Sequence, residues 1–436
     1  MSEPAKMPRR RKVAIALGLL PAIAAAFAGC SSAPSTGGSS TDPITIWGRS
    51  GASEVKPLVQ AYEKAHPGQV VKYTPVADAQ FLQKLSTAVR SNSAPDIVAF
   101  DLVNAPLLAT EGLLEDISSK TSALGSGSPI MKPALDAGKV GGKQYSLPIA
   151  IGSSQMIWNK ELFQKAGLNP DKAPANLAEV QRDAEAIHAL SPTTYGFSTL
   201  GSAGGAYTGF PTMWADGGQL LSALGSKQKA TWASSPAVAK DLLWLQQMWK
   251  SGVMPPTEAP NQDPGGQTMQ MLDTGKIGIA FTGTWAISGA DAQKLQWGYA
   301  AGIPGQSGKL SGFLGGDALG IVASSKHQSA AWNFLNWSVA SKTAAKVVLS
   351  SGSVPSNTAQ ASALMGSDPA HSLEALRSAR LPLSIAYNAV INDPNGPWTT
   401  AAQNVIFNGA DPATVLPQAA SSADKLIAAA YSQIGS

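Results

Sequence analysis

The chain of 436 residues holds a single cysteine, Cys30, so no internal disulfide can staple it and thiol chemistry has one place to occur. Histidine is almost as scarce. His66, His188, His327 and His371 are scattered: the first ends a helical segment, the second lies on one, and the third follows Lys326 in a loop. No H-E-x-x-H pair is present to hold a metal, and no G-x-S-x-G elbow to carry a serine nucleophile. A glycosidase would need two carboxylates about 5–9.5 Å apart. The available groups, Asp96/Asp101 and Glu111/Glu115/Asp116, fall at a strand end and a helix terminus, where structural roles explain them. No Lys/Arg cluster follows residue 12, which excludes the basic patch a nucleic-acid partner requires. Internal repeats and coiled-coil heptads are missing too. These absences point away from an enzyme, a metal or other cofactor, and nucleic-acid binding.

What the chain does have begins with residues 13–30, VAIALGLLPAIAAAFAGC. Arg9, Arg10, Arg11 and Lys12 precede this apolar run, and small residues close it before Cys30. That is the layout of an export signal. A cysteine directly after Phe27-Ala28-Gly29 resembles a bacterial lipobox, with Phe27 where leucine is usual. A transmembrane helix would need about 20 apolar residues, and this run is shorter and broken by Pro21. The reading is a signal peptide over 1–29, a lipidated Cys30, and a Ser/Gly/Pro-rich tether to residue 43. The protein is then expected to be exported and lipid-anchored to the outer face of the cytoplasmic membrane. Without residues 1–29 the chain carries 27 basic and 27 acidic side chains and is formally neutral. Its 407 remaining residues are long enough for two sizeable cores.

From Ile44 onward, strand and helix signals alternate. ITIW (44–47) reads as a strand. A helix follows with Pro57 in its first turn and Leu58, Val59, Tyr62 and Ala65 on one side. VVKYTPV has period-two alternation, residues 80–90 are helical, and Ile97–Phe100 suits a strand buried on both faces. Later, Asn176 and Glu179 mark a helix start ahead of the stripe Leu177, Val180, Ala184 and Ile187. Ser235-Pro236 opens another helix, with Val238, Leu242, Leu245 and Trp249 on one face and Gly252 closing it. IGIAF (277–281) and LGIVA (319–323) read as strands. The alternation predicts an α/β protein of at least two domains.

Eight blocks then appear in order: ITIWGRSG, PDIVAFD, YSLPIAIGSSQMIWNKELFQKAGL (145–168), WADGG (214–218), GKIGIAFTGTWA (275–286), GGDALGI (315–321), AAWNFLNW (330–337) and GSVPS (352–356). Together they cover nearly all of residues 44–410. They resemble the family 1 extracellular solute-binding proteins of bacterial carbohydrate ABC importers, the clade of maltose- and glycerol-3-phosphate-binding proteins. The resemblance implies a two-lobe periplasmic-binding-protein-like fold, a hinge crossed three times, and a ligand cleft between the lobes. Crossings are expected near 148–153, 281–285 and 338–342. One lobe would comprise 44–150 plus 285–340, the other 151–284 plus 341–436. A monomer serving the permease subunits of an importer is expected.

In open α/β sheets ligands sit beyond the carboxyl ends of strands. The residues there are Arg49 and Ser50, Asp101 and Asn104, Ser153 and Ser154 after the first hinge crossing, and Gly283-Thr284-Trp285, while Gly315, Gly316 and Asp317 precede LGIVA. By position in the family pattern, Tyr207, Trp214, Trp285 and Trp398 are candidate stacking platforms. A carbohydrate offers hydroxyls in its rim and C–H faces above and below, which in-plane polar groups and aromatic rings would match. Glycines 283, 315 and 316 would admit close backbone approach. Alternatives stay open at each place. Asp101 could cap a turn, Asp317 could shape one, Arg49 could pair with a carboxylate across the cleft, and Trp214 or Trp285 could simply pack. Trp244, Trp249, Trp332 and Trp337 fall on helix stripes and read as core. The expected ligand is a mono- or disaccharide, with an amino sugar as a variant. A glycerophosphodiester is the alternative, for which Arg49 and Arg377 would be the cations.

Overall fold

The computed structural model describes residues 41–436 except 123, 125–128, 201–203, 264–265, 284–285, 287–293, 367–372 and 435–436. Cys30, the signal and most of the tether lie outside these residues, as do Thr284, Trp285 and the side chain of Arg377. Among the described residues, no helix is long and apolar enough to cross a membrane.

Two separate sheets carry the architecture. The larger has the strand order Val354–Pro355, Leu147–Ser153, Leu310–Ile321, Ile97–Asp101, Ile44–Arg49, Val71–Val76. Its opening strand, Ile44–Arg49, runs parallel to both neighbours, while Leu310–Ile321 is antiparallel to Ile97–Asp101. The smaller sheet orders Trp297–Tyr299, Gln155–Asn159, Ile277–Thr282, Tyr195–Ser198. Each sheet has its own apolar core. Ile44, Ile46, Leu58, Ile97, Phe334 and Val348 pack in the first lobe, and Phe197, Phe210, Leu242, Phe281 and Trp398 in the second.

The local signals produce the helices they describe. Val55–Ala65 buries Leu58, Val59 and Tyr62. The Asn176 side chain accepts from the Glu179 N–H at 2.9 Å, and Glu179 Oε2 accepts from the Ala175 N–H, which fixes the start of helix Leu177–His188. Helix Pro236–Lys250 ends before Gly252, which takes a φ of 75° that a side chain would resist.

The lobes are joined at three adjacent crossings, two of them away from the expected places. Leu147–Ser153 belongs to the first sheet and Gln155–Asn159 to the second, so the first crossing is Ser154. The chain does not return near 281–285. Trp297–Tyr299 pairs with Gln155–Asn159 and holds the chain in the second lobe; it returns along the long strand Leu310–Ile321. Phe313 still packs in the second core, whereas Leu314 is in the first. Nor does the third crossing fall at 338–342. Helices Gln328–Ala340 and Lys342–Ser350 both pack in the first lobe. Ala379–Arg380 runs parallel to Gly312–Phe313, Leu381 packs against both lobes, and Ala386 and Tyr387 are buried in the second core. The lobe boundaries expected at 285 and 341 are therefore corrected by strand pairing, which decides membership irrespective of sequence distance.

Candidate functional site

The carboxyl ends of the first-lobe strands meet the second lobe at two contiguous cavities. The inner one, of about 340 Å³, is lined by Asp101, Tyr207, Phe313, Tyr387, Thr399 and Gln403, among others. The outer one, of about 650 Å³, is lined by Arg49, Asp78, Asp101, Asn104, Asn388 and Asn392, among others. Both volumes lie within the range of small-molecule pockets, about 300–1,000 Å³. Asp101, Val103 and Asn392 face both cavities.

The first-lobe wall is a charged network. Antiparallel register sets Asp317 directly opposite Asp101, with Arg49 ending the strand beyond. Arg49 grips Asp317 through Nε–H to Oδ1 at 2.6 Å and Nη2–H to Oδ2 at 2.9 Å, and its Nη1 lies 3.6 Å from Asp78. This is the planar two-point geometry that guanidinium and carboxylate favour. The Arg49 pKa rises because the Asp317 carboxylate overcomes the opposing effect of burial. Burial pushes the Asp317 carboxyl up and Arg49 pulls it back, so the pair persists as ions. Burial also raises Asp101, against the pull of Arg49 and of the Val103 N–H that its Oδ1 accepts at 3.2 Å. Asp101 is thus both a cap for the turn Leu102–Asn104 and a cavity wall.

The second-lobe wall is aromatic and amidic. Tyr207 opens helix Ala206–Ala215 and lies 5.5 Å from Phe313, ring centre to ring centre. A π-helical turn, Asn388–Asn392, and helix Pro397–Ile406 supply the rest. Burial and the nearby Asp101 push the Tyr387 phenol well above its usual range, so it stays a neutral hydroxyl. Asn388 Nδ2–H donates to Asn104 Oδ1 at 2.7 Å, one hydrogen bond running from lobe to lobe.

Several expected site residues have other duties. Asp317 reaches the network rather than the ligand surface, because Arg49 occupies both its oxygens. Ser154 is fully buried and serves the hinge: its Oγ accepts from the Phe313 N–H, and its N–H donates to the Phe313 carbonyl. Ser153 donates to the Ser154 carbonyl at 3.1 Å. Ser50 donates to Asp78 at the rim. Gly316, at φ 140°, is required by the neighbouring strand, since a Cβ there would collide with the Ala150 carbonyl. Trp398 is 0% exposed, packs on Phe210 and Trp232, and donates its indole N–H to the Gly204 carbonyl at 2.8 Å. It backs the inner cavity from behind, where a sugar could not stack on it. Trp214 lies almost parallel to Phe313 and borders a different cavity, with Leu221 and Leu383. Of the expected site residues, Arg49, Asp101, Asn104 and Tyr207 do line the two cavities.

Sequence reasoning missed Asp78, Tyr387, Asn388, Asn392, Thr399 and Gln403. The strand-end rule, applied to Val71–Val76, would have reached Asp78. The remaining five follow no strand, and nothing in their spacing marks them. Of the rival carboxylates, Asp96 and Asp116 are held in structural contacts. Asp96 accepts from the Thr45 N–H, the Thr45 hydroxyl and the Ser325 hydroxyl, and Ser118 holds the Asp116 carboxyl down at about 2.

A two-lobe α/β fold with a lined cleft at its junction defines a capture protein. The family described as bacterial extracellular solute-binding protein matches residues 57–373, and the chain belongs to it. It is a binding protein and not an enzyme. It is 26% identical to a provisionally named binding protein of Brucella abortus (strain 2308), over 84% of this chain and 88% of that one. It is also 26% identical to the diacetylchitobiose-binding protein DasA of Streptomyces coelicolor, over 79% and 80%. Its fold matches the sugar-binding protein MalE of Xanthomonas citri at a TM-score of 0.75 and 19% identity, covering 90% of this chain and 99% of that one.

Proposed function

We propose that this protein captures a mono- or disaccharide, an amino sugar included, by closing its lobes, and delivers it to the permease of an ABC importer. The observation that carries this reading is the inner cavity, where Tyr207, Asp101, Thr399 and Gln403 combine an aromatic face with in-plane hydrogen-bonding groups. The sugar-binding names of its relatives support the same class. Arg49 argues against a phosphodiester. Among the described residues lining the two cavities it is the one basic residue, and Asp317 already engages two of its nitrogens. Ligand contacts to both lobes would stabilise the closed state and shift the population toward it. A thermal-shift panel of neutral mono- and disaccharides, amino sugars, glycerol-3-phosphate and glycerophosphocholine tests the reading. At 100 times its Kd a ligand adds about 2.7 kcal/mol, a visible change in midpoint. Shifts with sugars alone are expected. A shift confined to the phosphate compounds, or none at all, overturns it.

The same reading holds the protein at the outer face of the cytoplasmic membrane through lipid on Cys30. The basic residues 9–12, the apolar run and the cysteine after Ala28-Gly29 support it. Labelled palmitate should enter the expressed chain and be lost in Cys30→Ala; equal labelling of the two removes the anchor.

A further inference from the structure

The two walls of the cleft touch at a single tight turn. Leu102–Asn104 leaves the first-lobe strand Ile97–Asp101 and runs directly into helix Ala105–Thr110. Its residues go to different places. Leu102 is buried in the first lobe with Phe100, Ala105 and Leu108. Val103, 3% exposed, is buried with the second-lobe core, and it lines the inner cavity together with Phe313, Tyr387 and Ile391. Asn104 meets the second lobe through its amide, where Oδ1 accepts the Asn388 Nδ2–H at 2.7 Å. Consecutive residues thus carry an apolar seat and a hydrogen bond across the cleft.

Both sides of this contact are fixed locally. Asp101 Oδ1 accepts the Val103 N–H at 3.2 Å, so the turn is tied to a residue that faces both cavities. Asn388 opens the π-helical turn Asn388–Asn392, whose Val390 and Ile391 are buried in the second core. Asn392 Nδ2–H donates to Asn388 Oδ1 at 3.3 Å, which turns the Asn388 donor end toward Asn104. Every partner in these contacts belongs to the chain.

We infer that Val103 and the Asn104–Asn388 pair form a latch that holds the lobes together before a ligand arrives, which makes them positioning residues for capture. The inference rests on the reading of the cleft as the capture site. Burying a valine between the lobes and closing a hydrogen bond both favour the closed state. Apparent affinity scales with the fraction of molecules already in the binding-competent state, so the latch strengthens capture. One side chain and one hydrogen bond are few enough contacts to part and admit a ligand. Because Asp101 caps the same turn, a ligand that orders Asp101 also orders the latch.

Small-angle X-ray scattering of the purified, ligand-free protein tests this. The wild-type curve should fit the closed arrangement of the two lobes. Asn104→Asp and Asn388→Asp each leave one amide donor facing one carboxylate, so either variant alone should keep that curve. Combining them leaves two carboxylates and no donor, and the radius of gyration should rise. Val103→Ala withdraws the apolar half and should move the curve the same way. Circular dichroism separates lobe opening from unfolding, and if the double variant does not fold, Val103→Ala and the wild-type curve decide alone. With the sugar that gives the largest thermal shift, saturation should return the double variant to the wild-type curve, since ligand contacts replace the latch. If its closed fraction falls to about one in five, its affinity should fall about fivefold. A wild-type curve that fits only separated lobes, folded variants indistinguishable from wild type, or single Asp variants that open as far as the double overturn the inference. None of these three outcomes involves a ligand, so the latch and the sugar assignment fail separately.

Discussion

The two walls of the cleft are built on opposite principles. On the first lobe, Arg49 and Asp101 end adjacent strands, Asp317 lies within the neighbouring strand Leu310–Ile321, and Arg49 holds Asp317. On the second, Tyr207, Asn388, Asn392, Thr399 and Gln403 sit on helices, over a core of Phe210, Trp232 and Trp398. Strand register leaves charged groups little freedom, and buried charges must be paired to be tolerated at all. Neutral amides and hydroxyls carry no such demand: Asn388, Asn392 and Thr399 donate to Asn104, Asn388 and Ile391 and keep further hydrogen-bonding capacity for a ligand. The charged wall therefore sets the shape of the cleft, while the neutral wall supplies most of the surface on which a sugar could be read.

Removing one charge from the first wall should give the largest effect, and it should appear in the fold. Arg49→Ala leaves Asp317 buried without its cation, at a cost of about 3 kcal/mol, measurable by urea unfolding at neutral pH. The deficit should shrink near pH 5, where the orphaned carboxyl can take up a proton. A loss of affinity with unchanged stability would place Arg49 with the open groups and dissolve the contrast. On the second wall the effect should be smaller and of another kind. Tyr207→Ala should weaken sugar binding by about 1 kcal/mol, roughly fivefold in Kd by calorimetry, because one stacking face is lost. Its ligand-free melting point should change little, since Tyr207 is only half-buried. If that melting point collapses instead, Tyr207 belongs to the core as Trp398 does.

Legibility in the sequence follows the same division. Alternating strands and capped helices are local patterns, and residues 44–101 folded as their periodicity describes. The strand-end rule then reached Arg49 and Asp101, and the Gly-Gly-Asp step before LGIVA pointed to Asp317, which the structure places inside the strand Leu310–Ile321. Neither showed that Arg49 and Asp317, 268 residues apart, would satisfy each other rather than a ligand. Trp214 and Trp398 shared the composition of stacking platforms, but their helices turn them into the second core, and Tyr207 alone among the described aromatic candidates keeps a face on the inner cavity. The segment Asn388–Asn392 was silent because a π-helical turn has no periodic signature and its amides look like loop polarity.

By itself the sequence determined the elements, their alternation and the residues that end each strand, because backbone preference and apolar period are properties of neighbouring positions. Only the tertiary structure decided where the chain changes lobes, which carboxylates are paired, and that Trp214 and Trp398 belong to the core and not to the cleft wall. Each of those depends on sheet order, on register and on desolvation by groups far away in the chain.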